Sequence, residues 1–257
     1  MEFLNSLPQP LIVTTLFIMG LCIGSFANVC IYRMPKKESI VFPVSHCTDC
    51  SAPVRAFDNI PVMSYLILGG KCRDCKSKIS AIYPTVELIT GLLLLAGYFK
   101  FGFTFDFLVY FVLAPALVII TAIDIEHQII PDALTLPGIV LGLAAGSYSI
   151  GYFNSFMGFL VGGGLFYLLA VLSNGGMGGG DIKYIAAVGA LVGWQKVLLV
   201  IFIGAFLGSF VGLFQMFIQK KTRKSLIPFG PFLAAATLIT LFYGNLLIKL
   251  YLDNLAN

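Results

Sequence analysis

Eight apolar runs, at residues 11–31, 84–100, 107–123, 134–152, 156–172, 182–194, 197–218 and 229–250, constrain this chain more than any other feature of its sequence. A helix rising about 1.5 Å per residue needs roughly 20 residues to cross a hydrocarbon core of about 30 Å. In lipid the backbone must satisfy its own hydrogen bonds, so apolar runs of this length read as helices. The composition agrees, with 58% hydrophobic and 11% charged residues, against about 25% charged in soluble domains. The expected fold is an all-α polytopic membrane protein of about eight transmembrane helices. No cleavable signal peptide is expected, because residues 1–10 carry no basic region and the first run is long enough to remain as a span.

The run at 182–194 is the weakest, at about 20 Å as a helix. The distribution of charge argues that it crosses. Of the sixteen Lys and Arg, eight fall within 33–78 and four are Lys220, Lys221, Arg223 and Lys224. Basic loops stay in the cytoplasm, and eight crossings put both clusters there, with Lys183. Lys100, Lys196 and Lys249 are left outside, as are both termini. Orientation in membrane lipid accounts for these charges, and no nucleic-acid partner is expected.

Residues 32–83 change character, being basic and proline-bearing with no run long enough to span. The expected organisation is a first transmembrane helix (1–31), a small cytoplasmic zinc-ribbon-like insertion (32–83), and a seven-helix membrane domain (84–257). Within the insertion, Cys47-Thr-Asp-Cys50 and Cys72-Arg-Asp-Cys75 each present two thiols from one short turn. Two C-x-x-C pairs at about this spacing suit one tetrahedral, structural Zn2+. Disulfides are disfavoured in a reducing cytosol. His46 reads as a solvated loop residue, and Cys22 and Cys30 as small buried hydrophobes. The short segment 63–68 reads as a surface or membrane-lying helix. In the first run Gly20 and Gly24 form a small-xxx-small packing face that Ser25 and Asn28 extend.

Two acids stand at the margins of apolar runs. Asp124 closes the third run in T-A-I-D-I-E-H-Q-I-I-P-D, and Asp181 follows the glycine-rich G-G-M-G-G-G. Ionisable residues at such depth are functional-site candidates. The expected topology puts both on the cytoplasmic side. Carboxylates about 3 Å apart cannot both ionise, so one holds a proton while the other activates water. The glycines give backbone freedom and allow another chain to come close. Asp132 reads as the N-cap of the next helix, and Glu87 as an acid favoured by a helix start.

The G-x-G-D element ending at Asp181, the D-x-E-H-x-x-I-P-D element at 124–132, the G-S-F-x-N at 24–28 and the two cysteine knuckles together resemble the type IV prepilin leader peptidases. These are bacterial inner-membrane aspartic endopeptidases that are also N-methyltransferases. The resemblance implies that Asp124 and Asp181 are the catalytic pair. It also implies that the substrates are type IV prepilins and type II secretion pseudopilins, cut at the cytoplasmic face after a glycine. The new N-terminus would then be methylated from S-adenosylmethionine, with the donor assigned to the insertion. Glu126 stands where many members carry a second aspartate. No G-x-G-x-x-G follows a strand, so the residues that bind the donor are not identified. Two other classes stay open on the residues alone: a proton- or cation-coupled transporter, for which no internal repeat is visible, and a non-catalytic zinc-ribbon scaffold.

Overall fold

The computed structural model describes residues 8–174, 176–218 and 228–255. Gly175 and the basic cluster from Lys220 to Lys224 lie outside the described residues. Among those described, the chain is helical with no named strand. Helices α1 (Gln9–Arg33), α2 (Met63–Ile67), α3 (Ile82–Phe101), α4 (Phe105–His127) and α5 (Asp132–Ser149) are followed by α6 (Tyr152–Leu172), α7 (Gly179–Val192), α8 (Trp194–Ile218) and α9 (Gly230–Leu255). Six of them, α1, α3, α4, α6, α8 and α9, are long and apolar enough to cross a membrane. The 18-residue α5 and the 14-residue α7 are not among the six.

Two compact units divide the chain, residues 1–119 and 120–257, with the boundary inside α4. In the first unit α1 packs along α3. Gly20 lies against the backbone of Gly91, and Gly24 against that of Glu87. Asn28 donates to the Tyr83 carbonyl at 3.0 Å. This is the small-residue face with a polar extension expected of α1, and it works because removing Cβ atoms brings the two backbones close. Cys30 is buried as expected, whereas Cys22 is exposed.

In the second unit α7 is the centre. It packs against α6, α5 and α8 and touches α9, while α8 also packs on α9. Ile185, Ala186, Val188 and Ala190 of α7 are buried, so the shortness of this helix is tolerated because protein surrounds it. Several buried polar groups inside the unit are paired, while the hydroxyls of Thr135 and Thr240 are buried without a hydrogen-bond partner. Ser155 donates to the Ala190 carbonyl at 2.7 Å. Thr237 donates to the Leu233 carbonyl at 2.8 Å, so the hydroxyl of Tyr184, 2.8 Å from Thr237 Oγ1, is the donor between them. Thr237→Val leaves that buried hydroxyl without its acceptor, and the expected loss is about 1–3 kcal/mol. Unfolding in detergent measures it, and an unchanged midpoint would contradict this account.

Helix α4 runs past the expected end of the third apolar run. It continues through Asp124 to His127, because Asp-Ile-Glu-His contains no helix breaker and the next proline after Pro115 comes only at position 131. The chain then turns at Gln128, whose φ is 55°. Asp124 therefore sits on a helix and not in a turn.

Candidate active site and metal centre

Asp124 is 6% exposed, in the last two turns of α4. Its Oδ2 accepts the backbone N–H of Gly230 at 2.7 Å, which begins α9. A first-turn N–H has no partner within its own helix, and the positive end of the helix dipole faces the same way, so a carboxylate suits this position. A Cβ on Gly230 would stand 2.8 Å from that same Oδ2. Only glycine lets the donor come so near. The sequence does carry a cue, since Pro228-Phe-Gly-Pro231 is a glycine–proline helix start, but nothing in it points to Asp124.

Asp181 lies in the first turn of α7, half-buried. The helix is capped by Gly178, with no side-chain cap bond. Asp181 is thus three places beyond the cap, and its own N–H donates to the Gly178 carbonyl at 3.1 Å. The charge of Asp124 acts on Asp181, so two acids 57 positions apart in sequence share one electrostatic environment. Part of the glycine run serves the chain's own packing. A Cβ on Gly180 would meet Ile130 Cβ at 2.8 Å, so the element around Asp181 lies directly on the loop that follows Asp124.

The neighbouring acids fall elsewhere. Glu126 is exposed, since two residues along a helix turn a side chain about 200° away from Asp124. Asp132 is not a cap: Pro131 holds that position with no side-chain bond, and the Asp132 carboxylate pairs with Lys183 at 2.7 Å. Both partners are well exposed, so the pair contributes little stability, but it ties the start of α5 to the first turn of α7.

In the first unit the four cysteines converge as expected. The sulfurs of Cys47, Cys50, Cys72 and Cys75 all lie within 4.8 Å of one another, and Cys47 and Cys75 are 3.8 Å apart. Tetrahedral Zn–S bonds of about 2.3 Å require sulfurs about 3.8 Å apart. Both knuckles are built alike. Cys47 N–H bonds the Ala52 carbonyl at 2.9 Å and Cys72 N–H bonds that of Ser77 at 2.8 Å. The residue after each pair, Ser51 or Lys76, has φ near 60° (58° and 61°). Backbone N–H groups of Cys50 and Asp49 bring the Cys47 thiol down to about 6, and the Ser77 hydroxyl lowers that of Cys75. Thiolates this close repel unless a cation lies among them, and a metal ion would supply it. His46 is exposed and sits 3.2 Å from the Val44 carbonyl, outside the quartet. Arg73, between the second pair, makes a two-bond pair with Asp58, at 2.8 and 2.6 Å.

Glu87 departs from its expected role. It lies beyond the first turn of α3, so the helix dipole does not explain it. Its Oε2 accepts the backbone N–H of Val62 at 2.7 Å.

Comparison with known proteins agrees with this division. The bacterial peptidase A24 N-terminal domain matches residues 18–101, and the type IV leader peptidase family matches residues 111–213. A prepilin leader peptidase/N-methyltransferase of Pseudomonas aeruginosa is 34% identical over 285 residues, covering 98% of this chain and 97% of the relative. The chain belongs to the type IV leader peptidase family. Equally named relatives from Aeromonas hydrophila, at 34% identity with 99% and 98% covered, and Legionella pneumophila, at 33% with 91% and 92% covered, extend the likeness. No solved structure matches the chain. In this leader peptidase the match at 111–213 contains both Asp124 and Asp181 but stops short of Gly230.

Proposed function

We propose that this protein is a membrane aspartic endopeptidase that removes the basic leader of type IV prepilins and pseudopilins after a glycine, and then N-methylates the new terminus. The observation that carries the proteolytic half is the pair Asp124 and Asp181, from two motifs, within electrostatic reach of each other. In this reading one carboxylate takes a proton from water as the oxygen attacks the scissile carbonyl, while the other, protonated, donates to the carbonyl oxygen. Collapse of the tetrahedral intermediate breaks the C–N bond and returns a proton to the leaving nitrogen. That nitrogen becomes the α-amino group of the mature pilin. Its lone pair would form the N–C bond to the donor's methyl as the C–S bond breaks toward sulfur, so the first reaction makes the acceptor for the second.

The eight crossings expected from the sequence would put both acids at the cytoplasmic side, where a pilin's apolar helix emerges from the same bilayer and its basic leader begins. The protein then belongs in the bacterial inner membrane. The cysteine quartet holds one structural Zn2+, supported by the sulfur spacing. Incubation of the purified protein with a prepilin and a labelled methyl donor tests the whole reading, with cleavage and label transfer scored separately. Absence of cleavage by the intact, zinc-loaded protein would defeat it.

Gly230 provides a graded test of the same site. Gly230→Ala puts a methyl group against Asp124 Oδ2 and displaces the carboxylate by a few tenths of an ångström or more. A misplacement approaching 1 Å costs about 100-fold, so kcat/KM for leader cleavage should fall at least about tenfold. An unfolding midpoint close to wild type separates this from loss of fold, and unchanged kcat/KM would remove Gly230 from the site.

A further inference from the structure

Between residues 57 and 68 the usual distribution of polarity is reversed. Leu66 and Ile67 of α2 are 65% and 73% exposed, and Phe57, Ile60 and Met63 are exposed as well. Ser64 is turned inward, 7% exposed, and its hydroxyl donates to the Phe57 carbonyl at 3.1 Å. A helix folded against water turns its serine out and its leucine in. Asp58, the single charged residue of this stretch, is held by two bonds from Arg73. The backbone is closed as well. The N–H groups of Ser64, Leu66 and Leu68 bond the carbonyls of Ile60, Val62 and Ser64, and the Glu87 carboxylate takes that of Val62 at 2.7 Å. Polar groups paired internally, with apolar side chains outermost, are what lipid requires.

The Glu87 bond also fixes the depth of this segment. Helices α1 and α3 run antiparallel in one register, with Gly20 against Gly91, Gly24 against Glu87 and Asn28 bonded to the Tyr83 carbonyl. Both are long and apolar enough to cross a membrane. Gly24 lies well inside Ile31, where the apolar run of α1 ends, by about 10 Å along the helix. Glu87 stands at the level of Gly24, and Val62, bound to it, is no more than a side chain's length from that level. Tyr65 and Leu68 line the same cavity as Cys22, Ser25 and Val29 of α1, so α2 follows the membrane helices inward. Interfacial helices bury their apolar face about 5–10 Å into the boundary of headgroups and acyl chains. Phe26 of α1 and Leu88 of α3 are exposed near this depth, so the outward face of α2 continues a surface that lipid already covers.

We infer that the insertion is not wholly aqueous: residues 57–68, with α2 at their centre, are embedded in one leaflet, and the partner of their exposed face is phospholipid. The inference is independent of the catalytic reading, since it uses only the crossing of the membrane by α1 and α3. Glu87 then supplies, at a depth that water does not reach, the acceptor that the Val62 N–H needs. The test uses the wild-type, zinc-loaded protein in vesicles of phosphatidylcholine and phosphatidylglycerol, with a photoreactive group on the acyl chains of a few lipids. Illumination should label peptides covering 57–68 together with those of α1 and α3. Label in α1 and α3 with none in 57–68 overturns the inference. Fluorescence gives a second reading from Ile67→Trp, made with Trp194→Phe because Trp194 is the chain's one tryptophan. Phospholipid brominated high on its acyl chains should remove at least about half of the emission, and iodide in the water should quench at least about fivefold less than it quenches a free tryptophan amide. Iodide quenching as strong as that of the free amide overturns the inference in favour of water. Protection from both quenchers overturns it in favour of a protein, a second copy or another chain, on the same face.

Discussion

Replacing either Asp124 or Asp181 by asparagine should abolish leader removal while the protein still inserts and keeps its zinc. General acid–base catalysis contributes about 10²–10⁴-fold per group, and groups that act as one unit do not add. Each single variant should therefore lose at least about 10³-fold, and the double variant little more. Asparagine is close in shape, so the Gly230 N–H can still be accepted at position 124. What disappears is the ability to exchange a proton. Gel mobility of a prepilin after incubation reads the outcome. Normal processing by either variant would end the dyad account. Loss in one variant alone would mean a single base, with the other acid placed there for structure.

Loss of the metal should have the second large effect. Between residues 34 and 85 the only buried residue is Ser64, so this module has no apolar core of its own. A small domain without a core depends on a staple, and structural zinc supplies about 10–16 kcal/mol of apparent binding energy in isolated fingers. Cys47→Ser or Cys72→Ser should take bound zinc from about one per chain to near zero. The segment from 44 to 80 should then be cut readily by added protease. Metal analysis and limited proteolysis measure this directly. A variant that stays protected without zinc would show that the Arg73–Asp58 pair and the two hairpins hold the module together unaided.

Much of this was legible before any coordinates. Apolar runs announce helices because lipid leaves the backbone no other way to pair its polar groups. Paired C-x-x-C knuckles announce a metal because a short turn can present two sulfurs to one ion. Asp124 and Asp181 stood out because charge is scarce in such a chain. In each case the relevant chemistry belongs to a side chain, or to a spacing along a few residues, and can be read locally.

Folding settled the contacts that join distant positions through groups carrying no letter of their own. Gly230 reaches Asp124 across 106 positions with a backbone N–H that every residue but proline has. Gly180 accepts Ile130 by lacking a Cβ. Glu87 proved to be an anchor for a strained valine, and Asp132 a partner for Lys183 instead of a cap. The register of α5, α6 and α9 around α7 decides these pairings. That register follows from how several helix surfaces pack at once, a collective property that no single stretch of sequence expresses.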